Sequence, residues 1–235
     1  MSLPKFETEF FGLETPLFLT MTRKERYQFF ISYFSKNQPE AKTELKYRNP
    51  FELLVAVVLS AQCTDKRVNI VTKRLFENFP TASVMAASNF DVLFPYIQSI
   101  SYPRNKTKHL LGLSNMLVTD FGEEVPLNID DLQRMPGVGR KTANVIVSVL
   151  DQQPAMAVDT HVFRVSKRLG LVTLRAKTPL EVERQLVKYI PDDYIHKAHH
   201  WLILHGRYTC LSRKPKCQIC PLTGVCRYYT KNYKF

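Results

Sequence analysis

The sequence has no apolar run approaching the ~18–20 residues that a membrane-spanning helix needs. Its first 22 residues also lack the apolar core of a signal peptide and the arginines of a transit peptide, because Glu7, Glu9 and Glu14 interrupt the hydrophobic residues. We therefore expect a protein that has no membrane segment, is not secreted and works in the cytoplasm, associated with the nucleoid if the source is bacterial. Residues 1–20, which precede a second possible start at Met21, are expected to be a poorly ordered extension.

Acidic residues are absent after Asp193, although basic residues continue. Across the chain, 33 Lys and Arg residues outnumber 21 Asp and Glu residues, which gives a formal net charge of +12 and a pI of about 9.5. This balance favours a polyanionic partner, with nucleic acid as the first choice and an anionic membrane as the second. A solvated basic tail is the alternative for the last segment. The basic residues after Asp193 are Lys197, Arg207, Arg213, Lys214, Lys216, Arg227, Lys231 and Lys234.

Strand signals are scarce, since no hairpin turn joins segments of alternating apolar and polar residues. Apolar residues instead recur at helical spacing over residues 23–35 and 106–121. Residues 178–191 begin with a capping box and a proline and end at a second proline, which predicts one helix. The β-branched runs 53–62 and 145–150 are compatible with strands or with buried helices, and we predict helices. The expected fold class is all-α.

Four of the five cysteines form a compact block, "CLSRKPKCQICPLTGVC", with the spacing C-x6-C-x2-C-x5-C. Disulfides are disfavoured, because the chain has no export signal and is long enough to fold without covalent links. Spacing alone leaves structural zinc and a [4Fe–4S] cluster equally acceptable, since both take four thiolates. The candidate ligands are Cys210, Cys217, Cys220 and Cys226. Cys63 is predicted to lie in an apolar helix as a small core residue.

A group of histidines precedes the cysteine block: His196, His199, His200 and His205. Histidines spaced four residues apart share a helical face and can bind a metal ion. Because Trp201 and several leucines surround them, we predict packed, hydrogen-bonded histidines instead.

The segment "NIDDLQRMPGVGRKTANVIV" predicts a helix, a tight glycine turn and a second helix. Asn128 can cap the first helix. Two glycines expose backbone N–H groups, and the positive end of the second helix adds to them, so the turn can bind a DNA phosphate without reading a base. A plain helix-to-helix turn is the alternative. The residues assigned to the phosphate contact are Gly137, Val138, Gly139 and Arg140.

Lys141 falls in the first turn of that second helix, where the helix dipole opposes a positive charge. Apolar neighbours are expected to disfavour the ammonium form as well. A neutral amine there is a nucleophile that can form a Schiff base with an aldehyde carbon. Asp159, in "AVDTHVFRVSKRLG", is predicted to be a helix N-cap, and a carboxylate near a reactive lysine can also activate it.

Four motifs in this order, "LSAQCTDKRVN", "MPGVGRKTAN", "VDTHVFRVSKRLG" and the cysteine block, resemble endonuclease III, a helix-hairpin-helix DNA glycosylase with lyase activity. The resemblance covers about residues 22–227. It implies a six-helix barrel domain over residues 43–153, whose helix-hairpin-helix spans about 128–150. It also implies a cluster domain made of residues 21–42 and 154–235, with its cluster loop at 210–226, and a DNA-binding cleft between the two lobes. The resemblance favours [4Fe–4S] over zinc.

The resemblance also assigns roles to individual residues. Lys141 matches the family's catalytic lysine and Asp159 its catalytic aspartate. Gln62 matches the glutamine that fills the gap left by an extruded nucleotide. Tyr102 falls where the family pattern has an aliphatic second wedge, so it is a departure. The basic residues of the cluster loop that match phosphate contacts are Arg213, Lys214 and Lys216.

The resemblance implies a monomeric base excision repair enzyme that acts on double-stranded DNA with damaged pyrimidines or abasic sites. It would remove oxidised pyrimidines through a lysine Schiff base and cut the strand 3′ to the abasic site by β-elimination. An adenine-specific relative usually lacks the lysine and has a glutamate before "SAQ", whereas this chain has Lys141 and no glutamate in 53–62. Such a relative also has a second C-terminal domain, which we do not expect here. A monofunctional mismatch glycosylase and a non-catalytic DNA-binding protein are the two remaining possibilities.

Overall fold

The computed structural model describes residues 21–151 and 153–233 of the chain. Within these ranges the regular structure is helical and no strand occurs, so the all-α prediction is confirmed. The expected extension over residues 1–20 lies outside the described residues. The helices are α1 (Arg23–Asn37), α2 (Pro50–Ser60), α3 (Asp65–Asn78), α4 (Ala82–Ala86), α5 (Phe90–Ile97), α6 (Pro103–Phe121), α7 (Ile129–Arg134), α8 (Arg140–Leu150), α9 (Thr160–Leu169), α10 (Pro179–Tyr189), α11 (Asp192–Tyr208) and α12 (Arg227–Asn232).

Side-chain caps set many of the helix starts. Thr178 accepts a hydrogen bond from the Glu181 N–H, and the Glu181 carboxylate accepts from the Thr178 N–H, which forms the predicted capping box. Asn128 accepts hydrogen bonds from the first turn of α7, as predicted. Asp159 caps α9 in the same way. Each cap satisfies N–H groups that the helix itself leaves without a partner.

The buried residues form two hydrophobic clusters. The first contains side chains between Leu45 and Ala155, and so includes α2 to α8. The second combines α1 with residues from Met156 to Cys226. Trp201 is fully buried in the second cluster and donates a hydrogen bond to the Gln38 carbonyl at 2.7 Å. This bond joins the C-terminal end of α1 to α11. These two cores support our proposed division of the chain into a barrel domain and a cluster domain.

Helix α2 is buried on all sides. Every residue from Phe51 to Leu59 is buried, so its apolar side chains have no solvent face and show no helical period. The helix ends at Ser60, and Cys63 therefore follows it in a turn. The prediction that Cys63 lies in the helix is wrong, although its half-buried side chain does pack against the first core. The helix also begins early enough to include Glu52 in its first turn, at the end opposite Gln62.

Two sets of ion pairs join the cores. Arg207 of α11 binds Asp65 at 2.7 Å and also pairs with Glu44. Arg140 of α8 binds Glu183 of α10, with an Nη2–Oε1 distance of 2.6 Å. These contacts fix α8 and α3 of the first core relative to α10 and α11 of the second.

None of the helices in the described ranges is long and apolar enough to cross a membrane.

Candidate active site and cluster loop

Lys141 is the second residue of α8 and its side chain is exposed. The glycine before the helix provides no side-chain cap, so the N-terminus of α8 is open around it. The apolar enclosure that we expected for Lys141 is not present. The amine is therefore accessible to a large substrate, and the feature that remains from the prediction is its position at the positive end of a helix.

The turn before Lys141 depends on Gly137. This residue has φ +81°, a conformation that favours glycine, and a Cβ there would lie 2.8 Å from His109 Nδ1. By contrast, a Cβ on Gly139 would meet no atom within 4 Å. In the described part of the chain no hydrogen bond engages the N–H groups of Gly137, Gly139, Arg140 or Lys141. This exposed set of donors suits an anion.

Two of the residues assigned to the phosphate contact are already engaged within the protein. The Val138 side chain is buried in the first core, and its N–H donates to the Met135 carbonyl at 3.1 Å. The Arg140 guanidinium, which we expected to face phosphate, instead binds Glu183. The open donors of the turn are therefore its glycine and α8 N–H groups.

Asp159 is the N-cap of α9, as predicted. Its carboxylate accepts hydrogen bonds from the His161 and Val162 N–H groups, each at 2.8 Å, and its second oxygen lies 3.0 Å from His161 Nδ1. Burial raises the pKa of the carboxyl, but the bonds from His161 and Val162 and the positive charge of Lys141 outweigh it and hold the pKa well below its usual range. Asp159 is thus an ionised carboxylate close enough to Lys141 to interact with it electrostatically.

Two buried side chains near Lys141 and Asp159 connect α8 and α11 to the segment that leads to Asp159. Asn144, one turn after Lys141, is buried and donates to the Met156 carbonyl at 3.3 Å, on the segment that leads to Asp159. His199 of α11 is also buried, lies near the backbone of Ala157 and interacts electrostatically with both members of the pair. Burial lowers the pKa of His199 to about 4, so the ring is neutral at pH 7.

The histidine group consists of packed side chains, as predicted. His199, His200 and His205 are buried, and His196 is half-buried. Hydrogen bonding is less complete than predicted, because Nδ1 of His196 and of His199 has no partner within the described ranges.

Close packing of α9 against α11 sets the position of His161. A Cβ on Gly206 would lie 2.9 Å from the His161 Cβ, so only glycine allows this approach. An open groove of about 1140 Å³ lies beside this contact, lined in part by Cys63, Asp65, His161 and Arg207. Among the described residues that line the groove, neither Lys141 nor Asp159 is present, whereas His161, which contacts Asp159, is.

The two candidate wedge residues lie side by side on exposed turns. Gln62 follows α2 with φ 55°, and Tyr102 precedes α6 with φ 56°; both are exposed and both adopt the left-handed conformation that is uncommon outside glycine. The Ser101 hydroxyl donates to the Gln62 carbonyl at 2.7 Å. The structure thus brings the two turns into direct contact.

The four cysteines of the C-terminal block face one another closely enough to interact electrostatically, and all four are free thiols. Burial, together with the neighbouring thiols, raises the pKa of Cys220 to about 11. Four free thiols within interaction range of one another are the ligand set that a [4Fe–4S] cluster takes, and a structural zinc ion takes the same set.

Arg168 of α9 organises the start of the cysteine loop. Its guanidinium donates to the carbonyls of Leu211 at 2.6 Å and Ser212 at 2.9 Å, and Nη1 lies 3.4 Å from Cys210 Sγ. A backbone bond from the Lys216 N–H to the Thr209 carbonyl closes the loop. Its exposed basic side chains, Arg213, Lys214 and Lys216, therefore project from a braced turn.

Comparison with known proteins places these features in a family. Residues 55–192 match the model described as HhH-GPD superfamily base excision DNA repair protein. The chain belongs to the HhH-GPD superfamily. Residues 210–226 match a second model, the iron-sulfur binding domain of endonuclease III.

Individual members of the superfamily are similar along most of their length. Endonuclease III of Rickettsia felis is 50% identical over 83% of this chain and 91% of the relative. Endonuclease III of Bacillus subtilis is 46% identical over 91% of this chain and 97% of the relative. A solved structure of a trapped covalent intermediate between endonuclease III and DNA is 47% identical, with a TM-score of 0.85, and covers 91% of this chain and 100% of that one.

The expected function and cofactor follow from this membership. The chain is a DNA glycosylase and AP lyase of base excision repair, and the prediction of an endonuclease III-like enzyme is confirmed. The monofunctional glycosylase and the non-catalytic DNA-binding protein are thereby set aside, and DNA is the partner. The metal group is a [4Fe–4S] cluster, which decides between the two cofactors that the cysteine spacing left open.

Sequence reasoning missed three residues that surround Lys141 and Asp159: Asn144, His161 and His199. The chain carries a signal for His161 alone, because a residue two places after an N-cap lies within reach of the cap's carboxylate. Asn144 and His199 act across the fold and have no local signal.

Proposed function

We propose that this glycosylase acts on damaged pyrimidines in duplex DNA, as a monomer, with Lys141 as nucleophile and Asp159 as its supporting carboxylate. The observation that carries the assignment is the exposed lysine amine at the N-terminus of α8 beside a carboxylate that stays ionised. The location of the protein in the cytoplasm stays a prediction.

In the proposed reaction, the Lys141 amine attacks C1′ of the extruded nucleotide. The bond from C1′ to the base breaks, the base leaves with the electron pair, and the proton that the lysine nitrogen loses on attack passes to the base. The second proton of that nitrogen passes to the ring oxygen O4′ as the sugar ring opens to an imine with Lys141. Loss of a C2′ proton to solvent then expels the 3′ phosphate with the electron pair, and the strand is cut. The Asp159 carboxylate, which stays ionised, would stabilise the positive charge that develops on Lys141 during the attack and at the sugar.

Binding would use three surfaces. The open N–H groups of Gly137, Gly139 and α8 would hold one phosphate, and Arg213, Lys214 and Lys216 would hold others. Gln62 and Tyr102 would enter the gap left by the extruded nucleotide. Extrusion of a nucleotide costs a few kcal/mol, and the cost is lowest for a poorly stacked base. Because Arg140 is engaged with Glu183, its part in the phosphate contact is made by its backbone.

The cluster would be held by Cys210, Cys217, Cys220 and Cys226. When bound, it supplies four strong metal–thiolate bonds that order the loop. Arg168 would keep the loop's carbonyls in place and leave the basic side chains exposed. We assign no catalytic step to it.

The test is borohydride trapping on a duplex with one abasic site, comparing the wild type with Lys141→Gln. An adduct that disappears in the variant, and persists in the matched surface control Lys108→Gln, is the expected result. An adduct retained by Lys141→Gln would exclude Lys141 as the nucleophile. A panel of oxidised pyrimidines and mispaired bases then tests the substrate class, and sedimentation tests the monomer.

A further inference from the structure

Lys106 is a buried lysine with no acidic partner. The residue is 5% exposed, although it lies in the first turns of α6 near the protein surface. No carboxylate of the described residues forms a salt bridge with it. A buried ammonium is costly unless it is paired or fully hydrogen-bonded, so an apolar side chain would be the cheaper occupant of this position. Packing alone therefore does not explain why a lysine occupies position 106.

The ammonium group is held by the end of α2. Lys106 Nζ donates to the Leu59 carbonyl at 2.8 Å and to the Ala61 carbonyl at 2.6 Å. Carbonyls at a helix C-terminus lack intrahelical partners and carry partial negative charge, and α2 has no basic residue in its own last turn. Lys106 thus supplies a C-terminal cap to α2 from another helix.

Ser101 extends the same contact by one residue. Its hydroxyl donates to the Gln62 carbonyl at 2.7 Å, so the carbonyls of Leu59, Ala61 and Gln62 are all bound by side chains of the segment that enters α6. Gln62 has an uncommon left-handed backbone, which persists only where the surroundings hold it. The same segment carries Tyr102 in the same conformation.

We propose that Lys106 and Ser101 are positioning residues that fix the backbone of Gln62 and couple the Gln62 and Tyr102 turns into one wedge. The proposal rests on the proposed function, since it takes Gln62 as the residue that enters the DNA. It adds that wedge insertion depends on side chains that do not themselves touch DNA. Gln62 and Tyr102 would then enter and leave the duplex together.

The experiment measures nucleotide extrusion with 2-aminopurine placed opposite a tetrahydrofuran abasic-site analogue, together with single-turnover cleavage of a true abasic site. The variants are Ser101→Ala, Lys106→Met and Gln62→Ala, with Lys108→Met as the matched control, because Lys108 is an exposed lysine of the same helix. A misplaced wedge is expected to slow extrusion and single-turnover cleavage about tenfold while the dissociation constant for undamaged duplex changes less than about twofold. Ser101→Thr, which keeps the hydroxyl, should restore the rate.

A double variant identifies the route. If Ser101 and Lys106 act through Gln62, then Ser101→Ala should have no further effect on extrusion in a Gln62→Ala background. Additive losses would overturn the proposal, as would wild-type extrusion in Ser101→Ala. If Lys106→Met does not fold, Ser101→Ala and its double variant still decide the matter. Unchanged extrusion in Gln62→Ala alone would instead refute the wedge role in the proposed function.

Discussion

Replacing Asp159 by asparagine separates its two roles. Asparagine caps helices about as well as aspartate, so α9 should keep hydrogen bonds to the His161 and Val162 N–H groups. The negative charge, its interaction with Lys141 and the charge-assisted bond to His161 are lost. We expect Asp159→Asn to fold and to bind abasic DNA, and to lose about 10²–10⁴-fold in single-turnover base release.

The expected stability loss is modest and can be worked from the contacts. The carboxylate is 14% exposed and sits at the positive end of α9, a geometry worth roughly 1–2 kcal/mol for a negative charge. For a chain of this length that corresponds to a fall in the melting temperature of roughly 2–8 °C at pH 7. Asp159→Ala should cost about 1 kcal/mol more, because it also leaves the two N–H groups uncapped.

The pH dependence gives a sharper check. The folded pKa of Asp159 lies below its ordinary value of 3.8, so the unfolded chain binds a proton more readily than the folded one. The stabilisation is therefore complete well above pH 3.8 and is lost as the pH falls toward the depressed pKa. Circular dichroism melts should show the wild type's advantage over Asp159→Asn shrinking below about pH 4.

Two outcomes would refute this account. A difference between the proteins that is the same at pH 7 and pH 3 would mean that Asp159 is not held ionised by its surroundings. Base release within about twofold of the wild type would remove the carboxylate from the chemistry. A matched substitution at an exposed carboxylate, Asp192→Asn, should leave base release unchanged.

Two further predictions concern the turn and its neighbouring ion pair. Gly137→Ala should lower the free energy of unfolding by about 1–3 kcal/mol in denaturant unfolding, because Gly137 has a positive φ and the added Cβ would meet His109. Gly139→Ala should change the free energy of unfolding by no more than about 0.5 kcal/mol, but its added methyl should weaken binding to abasic duplex. Equal losses of stability would contradict the difference in space at the two sites. Arg140→Met should change the free energy of unfolding by at most about 1 kcal/mol, since the Arg140 side chain is 52% exposed. It should also leave the salt dependence of DNA binding unaltered. If the slope of log K against log salt concentration fell by about one, the guanidinium would leave Glu183 for a phosphate in the complex.

The sequence predicted helices best where one face meets solvent or where a cap marks the start. The capping box at Thr178 and the caps at Asn128 and Asp159 are read from neighbours a few residues away, and the structure has all three. Helix α2 was ambiguous for a physical reason. Burial on every side removes the polar positions that mark a period, and the helix end at Ser60 was therefore placed too late.

Side-chain partners were the least predictable part of the site. Arg140 follows a glycine turn in a basic protein, and nothing within the hairpin indicates that Glu183, from another helix, lies 2.6 Å away. Lys106 reads as one of several basic residues at the start of α6, and its burial depends on α2. These assignments depend on tertiary contacts, which local pattern does not contain.

The proposed catalytic pair belongs to two different cores, and this explains why contacts far from either residue matter to it. Lys141 begins α8 of the first core, and Asp159 begins α9 of the second. Their separation is therefore set by the contacts between the cores and not by α8 or α9 alone. Those contacts include the bond from Asn144 to the Met156 carbonyl and the ion pairs of Arg140 and Arg207.

A substitution that loosens one of these contacts should act on the chemistry before it acts on the fold. Each core keeps its own buried side chains, so global stability depends little on a single contact between them. The distance from the lysine amine to the carboxylate, however, changes with any shift of one core against the other, and misplacement by about 1 Å is enough to slow a reaction by about a hundredfold. The ion pairs and the Asn144 bond thus help to hold the two helix N-termini in register as one proposed site.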